Sequence, residues 1–232
     1  MRGKIISYFD MCQNEGTSLQ RGMNFRLHGK HSVILMSVHP NAPYQDQISE
    51  DGAVLVYEGH DEPKTSSNKE PKLEDQPEFL PSGNPTENGK FHRAALSYKR
   101  ENKNPEIVRV YEKIKKGIWS DNGYFHLVDS WTESDEHRKV FKFKLVVVNE
   151  NESEDALIDS NDIESIRSRV IPSSVKQAVW KRDKGKCTEC GATDELHFDH
   201  IIPFSKGGAS TKVENVQLLC ARHNLQKSAK IQ

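Results

Sequence analysis

Cys187-Thr188-Glu189-Cys190, then His197-Phe198-Asp199-His200-Ile201-Ile202-Pro203, Gly207-Gly208 and Asn215, then Leu219-Cys220-Ala221-Arg222-His223-Asn224 and Lys227, form the stretch that decides how this chain is read. Cys187-x-x-Cys190 and Cys220-x-x-His223 are two close donor pairs separated by an intervening segment. Each presents two soft or borderline ligands to one ion, and together they complete a tetrahedral Cys3His zinc site. The bland alternative is a reduced C-x-x-C with a coincidental second pair. A domain of only about sixty residues needs such a staple, so the metal speaks first to folding.

Between the two pairs lie groups suited to phosphodiester hydrolysis, which needs a base for water, a cation at the developing charge and a geometry that holds both. Asp199 and His200 are adjacent, so on a strand their side chains point to opposite faces. A bend, or a metal on Asp199 while His200 faces water, is needed to join them. Singly, an Asp-His pair reads as a surface pair, and Asn215 or Asn224 as a cap or a solvated residue. Only the joint spacing lifts the catalytic reading.

From about Lys181 to Lys230 the chain closely resembles the HNH endonuclease family, with its D-H-I-x-P, G-G, N, L-C-x-x-C-N and K pattern. His223 stands where many members carry a fourth cysteine, and imidazole is a normal zinc ligand. The resemblance implies a ββα-metal fold in which a hairpin and a helix grip one catalytic divalent cation (Mg2+, Mn2+ or similar). In that frame His200 is the general base, Asp199 and Asn224 hold the ion, and Asn215 braces the loop. Lys227, about one turn after Asn224, reaches a phosphate. Gly207-Gly208 permits close backbone passage, and His197 is structural.

Working outward, Pro172 with Ser173 or Ser174 opens a helix whose Val175, Ala178 and Val179 form one apolar stripe, ended by Gly185. A second helix is expected over Val216–Ala229. From Pro172 onward there are ten Lys/Arg and six Asp/Glu, a surplus of four positive charges. Residues 149–165 carry seven acidic residues and no basic one, which reads as a solvated spacer. The division is therefore 1–148, an acidic linker 149–165, and 166–232.

Residues 1–148 read as β-rich. Ser32–Ser37, Ala53–Tyr57, Ile107–Tyr111, Tyr124–Val128 and Val140–Val148 are short runs dense in β-branched and aromatic residues. In the last, Phe141, Phe143 and Leu145 alternate with Lys142 and Lys144, one buried face and one wet. Five prolines mark a long loop over 61–90, and Phe91–Leu96 begins a helix.

Tyr44, Asp46, Gly52 and Tyr57-Glu58-Gly59, followed by the runs at 107–111, 121–124, 126–131 and 140–145, resemble the SRA domain, a PUA-like β-barrel reader of modified cytosine. Asn88 and Arg93 fall near that family's helix start. The resemblance implies extrusion of a base into a pocket, with Tyr44 and Tyr57 stacking on it and Asp46 accepting from cytosine N4–H. Asp46 is one residue closer to Tyr44 than the family usually has it.

The fold class expected is α+β: an SRA-like β-barrel with flanking helices and a small HNH domain with a structural zinc. The function expected is a modification-dependent endonuclease acting on double-stranded DNA with 5-methylcytosine or 5-hydroxymethylcytosine. One HNH site cuts one strand, so a double-strand break needs two protomers or two visits, and a homodimer is the expectation. The alternatives are an HNH nuclease reading unmodified sequence and a zinc-stapled nucleic-acid-binding protein without catalysis.

Thirty-three Lys/Arg against thirty-four Asp/Glu exclude a uniformly basic coat. Phosphate attraction must come from local patches such as Lys176, Lys181, Arg182, Lys184 and Lys186. Apolar stretches such as Leu145–Val148 are far too short to span a bilayer, and no secretory signal opens the chain, so a cytoplasmic protein without membrane contact is expected. The resemblance to bacterial defence enzymes implies a bacterial source.

Overall fold

The computed structural model describes residues 3–49, 52–64, 70–101, 103–135, 137–148, 170–203 and 206–227. The acidic linker expected at 149–165 lies outside the described residues.

The first half is built on β1 (Ile5–Ser7), α1 (Tyr8–Asn14), β2 (Met23–Asn24), β3 (Ser32–Met36), β4 (Gln47–Ile48), β5 (Val54–Glu58), α2 (Glu87–Glu101), β6 (Glu106–Lys115), β7 (Ile118–Ser134) and β8 (Lys139–Val147). They form one sheet in the order β2-β3-β6-β7-β8-β5-β4, with β1 also on β7; only β3 and β6 pair in parallel. Strands lie about 4.8 Å apart, so a flat sheet would hold β3 and β5 about 19 Å from each other. Instead Tyr57 Oη donates to Leu35 O at 3.4 Å. Met36 from β3, Leu55 from β5, Phe143 from β8 and Phe91 from α2 share one core. The sheet is therefore curled around that core in the manner of a barrel.

Each expected strand is present, with longer bounds where pairing extends it. The run at Tyr124–Val128 is the middle of a 17-residue strand, bent by an irregularity between Leu127 and Asp129. The helix expected from Phe91 starts at Glu87. Lys142, expected on a wet face, is 3% exposed with its ammonium 3.2 Å from Glu58. β5 pairs with β8 in register, which sets Glu58 directly opposite Lys142, and its carboxylate makes that burial tolerable.

The second half comprises α3 (Ser173–Arg182), β9 (Leu196–His200), β10 (Val216–Cys220) and α4 (Ala221–Lys227). Val175 and Val179 of α3 are buried, as the stripe required. The helix expected over Val216–Ala229 needs correction: Val216–Cys220 is a strand, and the helix begins at Ala221. All five residues of β10 are buried. Pairing with β9, and cover from α3 and α4, satisfies both faces better than one helical stripe would.

The two halves share a seam. Ile5, Ile114 and Ile118 pack with Val175, Val179 and Phe198 in one apolar cluster. Residues Gly3 and Lys4 straddle it: Gly3 N donates to Asp121 O (2.8 Å), Phe198 N donates to Gly3 O (3.0 Å), and Lys4 bridges His197. Lys176 crosses it, with its ammonium 2.9 Å from Glu112 Oε2 and 2.7 Å from Asn122 Oδ1. Both ends of this ion pair are buried, so Lys176 leaves the expected phosphate patch.

Candidate functional site

At the end of β10 and the start of α4, Cys220 and His223 meet Cys187 and Cys190 from the loop after α3. The four ligand atoms all lie within 4.8 Å of one another. Cys187 Sγ is 3.4 Å from His223 Nδ1, Cys220 Sγ is 3.3 Å from it, and Cys190 Sγ is 3.9 Å from Cys220 Sγ. A tetrahedron with zinc bonds of 2.0–2.3 Å has edges of about 3.4–3.8 Å, so the set fits zinc in donor chemistry and in size. Burial raises the Cys187 thiol, but backbone N–H groups of Cys220, Cys190 and Glu189 outweigh it and bring it down to about 6, favouring the thiolate that a metal needs.

Asp199 and His200 close β9, paired with Gln217 and Val216 of β10. The strand runs straight through them, so the opposite-face geometry expected of neighbours holds without a bend. Asp199 turns to α4, where the Lys227 ammonium contacts its Oδ2 and also the His200 carbonyl. Lys227, expected to reach a phosphate, is instead buried with this carboxylate. His200 Nε2 lies 2.8 Å from Ser210 Oγ. Burial first, and then Lys227, lower the His200 pKa against the opposing pull of Asp199, so the ring is neutral at pH 7.

Asn215 braces the loop, as expected: Oδ1 accepts from Ile202 N (2.8 Å), and Nδ2 donates to Ile202 O and Ala209 O (3.1 Å each). Gly208 sits so near that loop that a Cβ would fall 1.8 Å from Ile202 O. Asn224 is half-buried on α4, three residues before Lys227. A carboxylate and an amide oxygen are hard donors of the kind that Mg2+ or Mn2+ takes. Such an ion would compete with the Lys227 ammonium for Asp199.

Residues 187–230 match the HNH endonuclease family. The HNH segment thus covers the Cys3His cluster and the hairpin–helix unit that carries Asp199, His200 and Asn224. Just before it, Lys181, Lys184 and Lys186 of the expected patch remain exposed. Arg182 is committed to Asp183 and to the carbonyls of Val213 and Val216.

The barrel's open side holds a cavity of about 960 Å3 lined by Tyr44, Asp46, Tyr57 and His60, with Lys113 and Lys116 also on its wall. The structure thus brings together all three expected pocket residues. Asp46 is fixed by backbone donors: Ser37 N to Oδ2 (2.9 Å) and Glu58 N to Oδ1 (3.2 Å). Burial raises its pKa to about 7 despite those two bonds. Tyr57, expected as a stacking face, is 1% exposed and belongs to the core. His60 was not anticipated; a lone histidine after a strand carries no spacing signal. Its imidazole lies against Tyr44, and burial lowers its pKa to about 4, so it is neutral. Asn88, placed near the start of α2 by sequence, binds the His60 backbone, and Arg93 lies over Phe79.

Among solved structures, the chain is similar to the SUVH5 SRA domain in complex with hemi-methylated CG DNA, at 24% identity over 62% of this chain and 85% of that one, TM-score 0.41. It is also similar to SUVH5 SRA bound to fully hydroxymethylated CG DNA, at 22% identity over 62% and 85%, TM-score 0.42. KRYPTONITE in complex with mCHH DNA, H3(1-15) peptide and SAH follows at 15% identity over 68% and 34%, TM-score 0.42. No curated protein matches the chain. Among the described residues no helix is long and apolar enough to cross a membrane.

Proposed function

We propose that this chain is a modification-dependent DNA endonuclease, with a base-reading barrel (1–148), an acidic spacer (149–165) and an HNH nuclease (166–232). The observation that carries the reading is the hairpin–helix unit. It sets Asp199 against Lys227 and His200 against Ser210 at one end of the hairpin, with a zinc-sized Cys3His cluster at the other, inside the family-matched segment.

In this reading His200 removes a proton from water. With Nε2–H donating to Ser210 Oγ, Nδ1 carries the lone pair that takes it. The hydroxide oxygen bonds to phosphorus as the bridging P–O bond breaks, and the departing oxygen takes the electron pair. A divalent ion held by Asp199 and Asn224 would supply positive charge for that oxygen. Lys227 keeps the Asp199 carboxylate oriented, and the zinc set holds α4 against β10.

Target choice falls to the cavity, where Tyr44 offers an aromatic face and Asp46 an acceptor for an exocyclic amino group. Lys113 and Lys116 offer positive charge for the flanking backbone. A double-strand break requires two sites, so the active form is a homodimer.

The test is digestion of one DNA fragment prepared with cytosine, 5-methylcytosine or 5-hydroxymethylcytosine, with Mg2+ or Mn2+ and then with chelator. Metal-dependent cutting of the modified fragments alone is the expected result. Equal cutting of all three would favour an unmodified-sequence nuclease, and binding without nicking would favour a non-catalytic reader.

A further inference from the structure

Strand β5 ends at Glu58, and the next two residues are held in place. Gln76 Nε2 donates to Gly59 O at 2.7 Å. Asn88 then grips His60 twice: His60 N donates to Asn88 Oδ1, and Asn88 Nδ2 donates to His60 O, each at 2.8 Å. Asn88 is itself buried at 2% exposure. The His60 backbone is therefore fixed, and its side-chain torsions are what it has left to move.

Those torsions place the ring in the cavity. The imidazole is stacked on Tyr44, with centroids 5.0 Å apart and planes 13° from parallel. Its Nε2 is 3.0 Å from Tyr57 Oη, whose ring lies 6.1 Å away at a 44° tilt. Gly22 closes the other side: a Cβ there would fall 2.7 Å from His60 Nε2 and 2.8 Å from Tyr57 Oη. Only a residue without a side chain lets the backbone pass, and the packing leaves the ring no room on that side.

Stacked aromatic rings sit with centroids about 4.5–7 Å apart. His60 already occupies that shell on Tyr44 and covers the hydroxyl of Tyr57. A planar base arriving at Tyr44 meets a ring already in its place. We propose that His60 is an internal stand-in for the base, a selectivity-determining residue that fills the stacking position until an extruded base displaces it. This rests on the base-reading function proposed for the cavity.

Displacement by side-chain rotation lowers the apparent affinity by the fraction of time the position is open. A base that gains only stacking merely matches the imidazole. A base that also gains a hydrogen bond to Asp46 and contacts for its 5-substituent exceeds it. His60 thereby sets a threshold for entry, and its effect falls on the rate of association.

The experiment compares wild type, His60→Ala and His60→Phe for binding to matched duplexes with one 5-methylcytosine or none. Equilibrium titration and stopped-flow association are both measured at one salt concentration, and urea unfolding establishes that each variant is folded. His60→Ala should bind the modified duplex about three- to tenfold more tightly, with the gain in association rate. His60→Phe, which keeps a stacking ring, should not gain. Weaker or unchanged binding by folded His60→Ala, or an equal gain by His60→Phe, overturns the stand-in role while the wild-type preference for modified DNA stands. A wild type without that preference overturns the base-reading function itself, and the stand-in role with it.

Discussion

Lys176→Met tests how firmly the two halves are joined. The Lys176 side chain is 3% exposed and Glu112 is 0% exposed, and the pair spans the seam at 2.9 Å. Burial pushes the Glu112 pKa up, but Lys176 and then Asn122 outweigh it, so its carboxyl lies below the usual value in the folded protein. Its Oε1 already has no hydrogen-bond partner. Removing the ammonium leaves a buried carboxylate with no opposite charge and only the Asn122 amide and the Ser173 hydroxyl to support it, a loss of about 3–5 kcal/mol. For a protein of this size that is a fall of roughly 6–20 °C in Tm.

The pH dependence has a definite sign. A carboxyl with a depressed folded pKa stabilises above its unfolded pKa, and that stability is lost as pH falls through the folded value. In the variant the largest lowering influence is gone and burial is opposed only by Asn122 and Ser173, so Glu112 takes up a proton more readily. The penalty should be largest near pH 7.5 and shrink toward pH 5. Lys176→Met combined with Glu112→Gln should recover much of the loss, since no buried charge remains. Urea unfolding at both pH values measures all three. A single-variant loss under about 1 kcal/mol at pH 7.5, or one that grows on acidification, would refute the reasoning.

His200→Ala should reduce cleavage by at least about a hundredfold while leaving zinc content and DNA binding unchanged, checked by plasmid nicking, elemental analysis and titration. Purified protein should contain one zinc per chain, and Cys187→Ala should lose it along with the fold of the HNH segment; thermal unfolding with and without chelator reports both. Asp46 is a neutral acid below about 7 and a carboxylate above. Only the carboxylate is an acceptor without a proton of its own, so binding of the duplex with 5-methylcytosine should tighten between pH 6 and pH 8, and Asp46→Asn should flatten that trend.

The nuclease end was legible because its chemistry is written in spacing. Two knuckles of fixed length cannot reach one ion unless a hairpin and a helix bring them together, and Cys187, Cys190, Cys220 and His223 meet as that logic requires. Strands Ser32–Met36 and Val54–Glu58 were legible for a similar reason, because β-branched residues in short runs have few other uses. Burial was harder to read. Lys142, Lys176 and Lys227 are all long cations that sequence places in water, yet each is drawn inside by a carboxylate 28 to 84 positions away. Val216–Cys220 misled because a short apolar run fits either period, and cover on both faces decided for a strand. His60 had no signal at all, since its meaning lies in Tyr44 and Tyr57 beside it.

The segment Gly3–Ser7, which ends in β1, also bears on how the molecule comes into being. Its partner in the barrel, Ile118–Ser120, and its neighbour in the nuclease, His197–Phe198, are made at very different times. At 5–20 residues per second, the roughly 190 residues between Lys4 and His197 take about 10–40 s to synthesise. The barrel can gather that strand as soon as β7 emerges, whereas β9 receives its edge only when the hairpin is finished. The HNH segment is thus completed on a surface that the barrel has already built. A ribosome that stops early leaves a barrel without its HNH segment, and never the reverse.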